Sequence, residues 1–276
     1  MKKQRIIINP FLKSLKDIWK NKPAFVLLFI LQILFFWILF STSVEYQTRI
    51  LEDSQAISDY LSRQKLDEVS IAQNVMQQKD ILGEDPLMIS RHFNEIVKNF
   101  RAYLAIFFIS LVMFLSFAWS LAHKLTSKMK FNELNRLFSR NLIIALLYLM
   151  LMFSFFYSLF NIPISQAADA GVFEKYVPFL VAAPILIYFM LLSLSLPYSI
   201  GLNEILQSTL STGIKKAHYV LAAYFINIAL LAIPIILLYY FFEESLLILI
   251  LSLAAIIFSF VFGKIFMVNV VEKLGN

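Results

Sequence analysis

Residues 25–40 read FVLLFILQILFFWILF, inside a stretch from Pro23 to Val44 that carries no charged side chain. The hydrocarbon core of a bilayer asks for about 20 mostly apolar residues per helix, and this stretch supplies them. It has none of the apolar–polar alternation of a lipid-facing barrel strand. In lipid every backbone N–H and C=O must be paired inside the segment or in a closed barrel, so the segment reads as a membrane-spanning helix. The run also exceeds the roughly 7 to 15 apolar residues of a cleaved signal core, which favours a span over a leader.

Working outward, five more charge-free stretches follow, and the spans are set at 23–44, 102–122, 141–161, 177–198, 219–241 and 245–263. Between them lie a tail at 1–22, a long polar insertion at 45–101, and segments 123–140, 199–218 and 264–276. The expected fold class is an all-α membrane protein, a single domain of six transmembrane helices arranged as three hairpins. Composition agrees: 60% of the 276 residues are hydrophobic and 15% charged, against about a quarter charged in soluble domains. There is no cysteine, so disulfides, cysteine-ligated clusters and thiol chemistry are excluded.

Orientation follows from the basic residues. The tail carries Lys2, Lys3, Arg5, Lys13, Lys16, Lys20 and Lys22 against Asp17, and segment 123–140 carries Lys124, Lys128, Lys130, Arg136 and Arg140 against Glu133. Lys215, Lys216, Lys264 and Lys273 fall on the same side, whereas the turn between spans five and six has only Glu243 and Glu244. The positive-inside rule then expects both termini in the cytoplasm of a cell-membrane protein. The formal charge of +6 points to anionic lipid headgroups and not to nucleic acid, because no nucleic-acid motif accompanies it.

Laid side by side, the cytoplasmic segments repeat. Leu15 to Lys22 leads into span one, Leu134 to Asn141 into span three, and Leu210 to Lys216 into span five. Each has an apolar residue, a second apolar residue four positions on or nearly so, and then basic residues. Amphipathic stretches overlap or precede them. Phe11, Leu12, Leu15, Ile18 and Trp19 share one face with Lys13, Lys16 and Lys20 on the other; Phe131, Leu134, Leu137 and Phe138 form the second copy; Leu202, Ile205, Leu206 and Leu210 form the third. Basic amphipathic helices of this kind lie in the membrane interface, so three units are expected, each an interfacial helix followed by a membrane hairpin. The candidate headgroup contacts are Lys13, Lys16, Lys20, Lys22, Lys128, Lys130, Arg140, Lys215 and Lys216. This layout resembles the six-helix prokaryotic integral-membrane families of unknown function related to the membrane domain fused to some glycerophosphodiester phosphodiesterases. The resemblance covers most of the chain outside 45–101 and implies a membrane fold without a catalytic residue to carry over.

The insertion from Glu45 to Arg101 is rich in Gln, Glu, Leu, Ile and Lys, with one glycine and one proline, Gly83 and Pro86. Such a composition favours helix. An extracytoplasmic helical hairpin is expected: one arm from Tyr46 to Asp80, a turn at residues 82–85, and a second arm from Pro86 with Asp85 as its cap. Ile50, Leu51, Ile57 and Leu61 would face Phe93, Ile96, Val97 and Phe100. The hairpin either caps the bundle or offers a protein partner a docking surface.

Within the spans the polar candidates are Gln32, Ser193 and Asn227, read as interhelical hydrogen-bond donors or as the lining of a path. Pro184, Pro197 and Pro234 are expected to break or kink spans four and five, and Pro234 leaves the carbonyl of Leu230 without its donor. No Asp, Glu, Lys or Arg lies inside a span as drawn, which argues against a proton-coupled pump or a voltage sensor. His92, His123 and His218 are too scattered for a shared metal, and no cofactor motif or set of nucleophile, base and oxyanion donors appears. Two readings follow: a non-enzymatic module organising lipid or a partner, or a permease for an uncharged or amphiphilic substrate. A filled core favours the module; a polar cavity reaching Ser193 and Asn227 favours the permease.

Overall fold

The computed structural model describes residues 5–63, 87–127, 129–160, 171–241 and 245–275. Among them every regular element is an α-helix: α1 (Arg5–Lys20), α2 (Lys22–Arg63), α3 (Leu87–Thr126), α4 (Phe131–Phe160), α5 (Gly171–Ser195), α6 (Leu202–Lys215), α7 (Ala217–Phe241) and α8 (Leu246–Gly275). Five of these, α2, α3, α4, α7 and α8, are long and apolar enough to cross a membrane, and α5 holds a shorter apolar stretch, Leu180–Ser195. The chain is thus a helical, several-span membrane protein in its physical character. Phe25, Phe29, Leu31 and their neighbours build α2 because a charge-free run in lipid has no other economical way to pair its backbone.

The helices form two compact units, Met1–Leu34 with Val112–Asn276, and Phe35–Leu111. In the first, α8 packs on α7, α1 and α5, α4 packs on α5, and α6 packs on α5 and α7. Burial is concentrated in the C-terminal parts of three helices: Val112 to Leu125 in α3, Met190 to Ser195 in α5, and Val261 to Leu274 in α8. Phe262 and Phe266 stack at 6.1 Å, and Phe11 of α1 meets their edges at 5.1 and 5.7 Å. Elsewhere large side chains such as Val26, Ile30, Ile228, Leu247 and Ile250 are exposed. A surface this apolar suits lipid rather than water, and lipid gives helices no hydrophobic drive to associate, so close packing and interhelical hydrogen bonds hold them together.

Glycines make the closest approaches. A β-carbon on Gly213 would lie 2.9 Å from Leu192 Cδ2 and from Phe189 Cε1, so α6 rests on α5 at a point where only hydrogen fits. Tyr188 Oη donates to the Gly213 carbonyl there at 2.8 Å. On α8, Gly263 lets Asn227 of α7 come within 3.3 Å of the place a β-carbon would take.

At two of the three places where the sequence repeats, a short helix stands apart from the long helix that follows. α1 is separate from α2 because Pro23 has no N–H for the carbonyl of Trp19; Asn21 marks the break and its Nδ2 donates to Leu125 O at 2.7 Å. α6 is likewise separate from α7, with Lys216 between them. The second copy has no helix of its own: α4 runs unbroken from Phe131 to Phe160, with Leu134 and Leu137 buried in the protein. No proline interrupts it, and Asn141, the last residue of that copy, stays helical and donates to Ser120 Oγ at 3.1 Å.

In the second unit, the first arm as far as Arg63 continues α2, and the second arm from Leu87 and the span after it are one helix, α3; residues 64–80 of the first arm lie outside the described residues. Ser43 and Tyr103 hydroxyls are 2.9 Å apart, His92 Nδ1 and Asp53 Oδ1 2.8 Å, and the Tyr46 and Tyr103 rings 6.1 Å. Of the expected facing stripes, Ile50, Ile57, Ile96, Val97 and Phe100 are half-buried, but Leu51, Leu61 and Phe93 are exposed. Polar pairs thus join the two helices alongside the half-buried apolar side chains. The turn at 82–85, Pro86, Glu243 and Glu244 lie outside the described residues.

Candidate functional site

Pro197 decides the local geometry. Its ring and missing N–H end α5 at Ser195, and the chain turns through residues 196–201, with Ile200 N–H donating to Pro197 O at 3.2 Å. So Pro197 terminates a helix and kinks none, whereas Pro178 and Pro184 are carried within α5 and Pro234 within α7. Gly201 then caps α6 with extended dihedrals (φ −70°, ψ 159°) and no side chain bonded to the helix's free amides.

Arg140 of α4 holds this turn. Its Nη1 donates to Pro197 O at 2.7 Å and Ile200 O at 3.3 Å, and its Nη2 donates to Leu196 O at 3.0 Å. Read from sequence as a headgroup contact, Arg140 is instead only 5% exposed. The backbone carbonyls of the turn that follows α5 draw it inward, and no ion pair is made to it among the described residues. Its Nε–H has no hydrogen-bond partner. On the other side of the turn, His123 of α3 is buried and donates through Nε2 to Leu194 O at 2.9 Å.

Two clefts flank the turn. One, of about 450 Å³, lies between the start of α4 and the N-terminus of α6, and its wall includes Arg136, Ser139, Arg140, Tyr198, Ser199 and Leu202. The other, of about 400 Å³, is bordered by His123, Ser195, Tyr198, Val268 and Glu272. Neither is lined by Ser193 or Asn227.

Two short helices flank this region with three faces each. On α1, Pro10, Ser14 and Asp17 turn toward α8, where Asn269 Nδ2 donates to Ser14 Oγ at 2.9 Å and to Asp17 Oδ2 at 3.2 Å. The opposite side is an apolar ridge of Ile8, Leu12, Leu15 and Trp19, the last 72% exposed. Lys16 and Lys20 stand on the flank between, also exposed. α6 repeats the plan: Ile205, Thr209 and Gly213 inward, Leu206, Leu210 and Ile214 outward, Lys215 beside them. Part of the amphipathic face read from sequence, Phe11 and Ile205, is spent on the protein itself. Asp17 is the titratable group of this joint: loss of water raises its carboxyl above the ordinary value, against the opposing pull of the Asn269 N–H, Lys13 and Lys20.

The other predicted residues divide. Lys13 pairs with Glu272 at 2.7 Å, Lys216 Nζ donates to Leu274 O, and Lys22 sits 5.1 Å over the Trp19 ring. Lys130 and Lys215 are exposed, and Lys128 lies outside the described residues. Ser193 is buried and bonded to Thr209 at 3.0 Å and Tyr148 at 3.3 Å. Asn227 Nδ2 donates at 3.4 Å to a carbonyl, that of Gly263. Gln32 Oε1 accepts from Lys264 Nζ at 2.9 Å, with the ammonium also over the Phe114 ring at 5.4 Å. Lys264 was placed in a cytoplasmic tail on its charge alone; α8 continues past it without a break. Compared with protein-family models, with curated proteins and with solved structures, the chain matches none.

Proposed function

We propose that the chain is a six-span module of the cell membrane, with both termini cytoplasmic, that organises anionic lipid around itself without catalysing a reaction. The observation that carries this reading is the outward side of α1 and α6. An exposed apolar ridge beside exposed lysines matches a helix lying at the acyl–headgroup boundary, and each lysine near an anionic surface contributes on the order of 1 kcal/mol. Fastening one face of each helix to the bundle fixes where those lysines stand. The permease reading draws on the prolines and the helix count, but Ser193 is taken up by interhelical hydrogen bonds to Thr209 and Tyr148, and Asn227 Nδ2 reaches the Gly263 carbonyl of the neighbouring helix, its Oδ1 having no partner.

Reconstitution tests the proposal. The full chain with Lys16→Gln, Lys20→Gln and Lys215→Gln is expected to retain its fold and lose most of its preference for phosphatidylglycerol over phosphatidylcholine, measured by lipid carried through purification. An unchanged preference, or none in the parent chain, would refute it. Because the chain has no cysteine, Ser54→Cys and Ser211→Cys variants report topology cleanly: an impermeant thiol reagent should label the first in intact cells and the second only after lysis.

A further inference from the structure

We propose that the cleft between the start of α4 and the N-terminus of α6 binds the phosphate of an anionic lipid headgroup. The proposal rests on the lipid-organising reading and gives it a specific seat. Three features of one electrostatic sign meet there. Of the first amides of α6, that of Glu204 donates to Gly201 O at 3.1 Å, while those of Leu202 and Asn203 have no side-chain cap from Gly201, so the positive end of the dipole opens on the cleft, with the exposed Glu204 of the same turn beside it. Arg140, nine-tenths buried, forms part of the wall; its Nη groups are taken by the Leu196, Pro197 and Ile200 carbonyls, so it gives the cleft a positive field that no carboxylate offsets among the described residues, and not a direct hydrogen bond. Arg136 stands at the rim, exposed and free to close on a bound anion.

Hydroxyl donors complete the set. Ser139, Tyr198 and Ser199 border the cleft and are exposed, and a phosphate takes several such donors at once. The single carboxylate on the wall, Glu133, is turned to the backbone: its Oε2 accepts the Lys130 N–H at 2.8 Å. Apolar surface separates a lipid phosphate from a free one. Ile143 and Leu202 line the cleft while remaining exposed, and Leu206, 63% exposed, continues from them one turn along α6. Acyl chains have a path from the cleft; an inorganic anion has no use for it.

The helix end offers a selective perturbation. Proline is well tolerated at the first position of a helix, and the dihedrals of Gly201 are those a residue before proline adopts. Leu202→Pro therefore removes one donor amide and keeps α6, with Leu202→Ala as the control for the lost side chain. The full chain in a neutral detergent would be titrated with phosphatidylglycerol, phosphatidylcholine and inorganic phosphate, reading retained lipid by native mass spectrometry and thermal unfolding in parallel. The parent chain is expected to retain phosphatidylglycerol. Arg136→Gln should weaken this about five-fold, as for one surface charge; Leu202→Ala reports the loss of the apolar contact alone, and Leu202→Pro should bind roughly ten-fold more weakly than Leu202→Ala, as for a hydrogen bond to a charged group. If Leu202→Pro does not fold, Arg136→Gln, at an exposed rim, carries the test. Unaltered affinity in the cleft variants overturns the site. Should Lys16→Gln with Lys20→Gln abolish binding in that same series, the broader reading stands and the site alone fails. Equal stabilisation by inorganic phosphate overturns the assignment to lipid.

Discussion

Ser259 of α8 stands where α7 needs a donor. Pro234 cannot give an N–H to the carbonyl of Leu230, and Ser259 Oγ lies 3.0 Å from that oxygen and 2.8 Å from Ala255 O in its own helix. The hydroxyl has one proton, and the Ala255 carbonyl already has its helical donor, so the stabilising placement is on Leu230. Interhelical hydrogen bonds in membranes average about 0.6 kcal/mol and reach about 1.7. A buried carbonyl left without any donor costs about 1 to 3 kcal/mol. Ser259→Ala is therefore expected to cost about 1 to 2 kcal/mol. Pro234→Ala restores the helix's own N–H to Leu230 O, and in that background Ser259→Ala should cost under about 0.5 kcal/mol, the limit within which independent sites add. Reversible unfolding of the four proteins in mixed detergent micelles gives the cycle. Equal costs of Ser259→Ala in both backgrounds would refute the reasoning, because the serine would then owe nothing to the proline.

Two further outcomes follow from the packing. Gly213→Ala places a methyl 2.9 Å from Leu192 and Phe189 side chains, and overpacking of this kind costs about 1 to 3 kcal/mol; the lowered melting temperature should come with faster proteolysis at α6, and an unaffected cleavage rate would contradict the close seat of that helix. At the α1–α8 joint, the folded-state pKa of Asp17 lies above its ordinary 3.8, so its contribution is fully favourable below about pH 3.8 and is lost as pH rises through the raised value. Asp17→Asn should then be slightly more stable than the parent at pH 7, by well under 1 kcal/mol for so hydrated a group, with the gap closing on acidification in paired thermal melts.

What could be read from the chain was whatever depends on composition along one segment. The charge-free run around Phe25 to Phe40 dictates a helix whatever surrounds it, and Pro23 dictates the break after α1. What could not be read depends on partners distant in sequence. Arg140 and Lys16 are both basic residues beside an apolar segment; only the carbonyls of Leu196, Pro197 and Ile200, more than fifty positions away, turn the first inward. Lys264 looked like the start of a tail because charge marks the end of a span, yet Gln32 and the Phe114 ring give its ammonium a place against the helices. Leu134 and Leu137 carry the same pattern as Leu12 and Leu15, and nothing local says that one pair is buried in the protein while the other stays exposed. The clefts beside residues 196–201 had a faint signal: Pro197 followed by Gly201 marks a turn, but the depth beside a turn belongs to its neighbours.

The joint of Ser14 with Asn269 spans 255 positions of the chain. At a synthesis rate of about 5 to 20 residues per second, roughly 13 to 50 s separate the appearance of its two halves. During that interval α1 has no α8 to rest on. Its outward ridge of Ile8, Leu12, Leu15 and Trp19 owes nothing to that delay, whereas its polar side stays unclaimed until Asn269 and Glu272 arrive and close the clasp. A chain that lacks α8 therefore leaves Ser14, Asp17 and Lys13 without the partners that Asn269 and Glu272 give them.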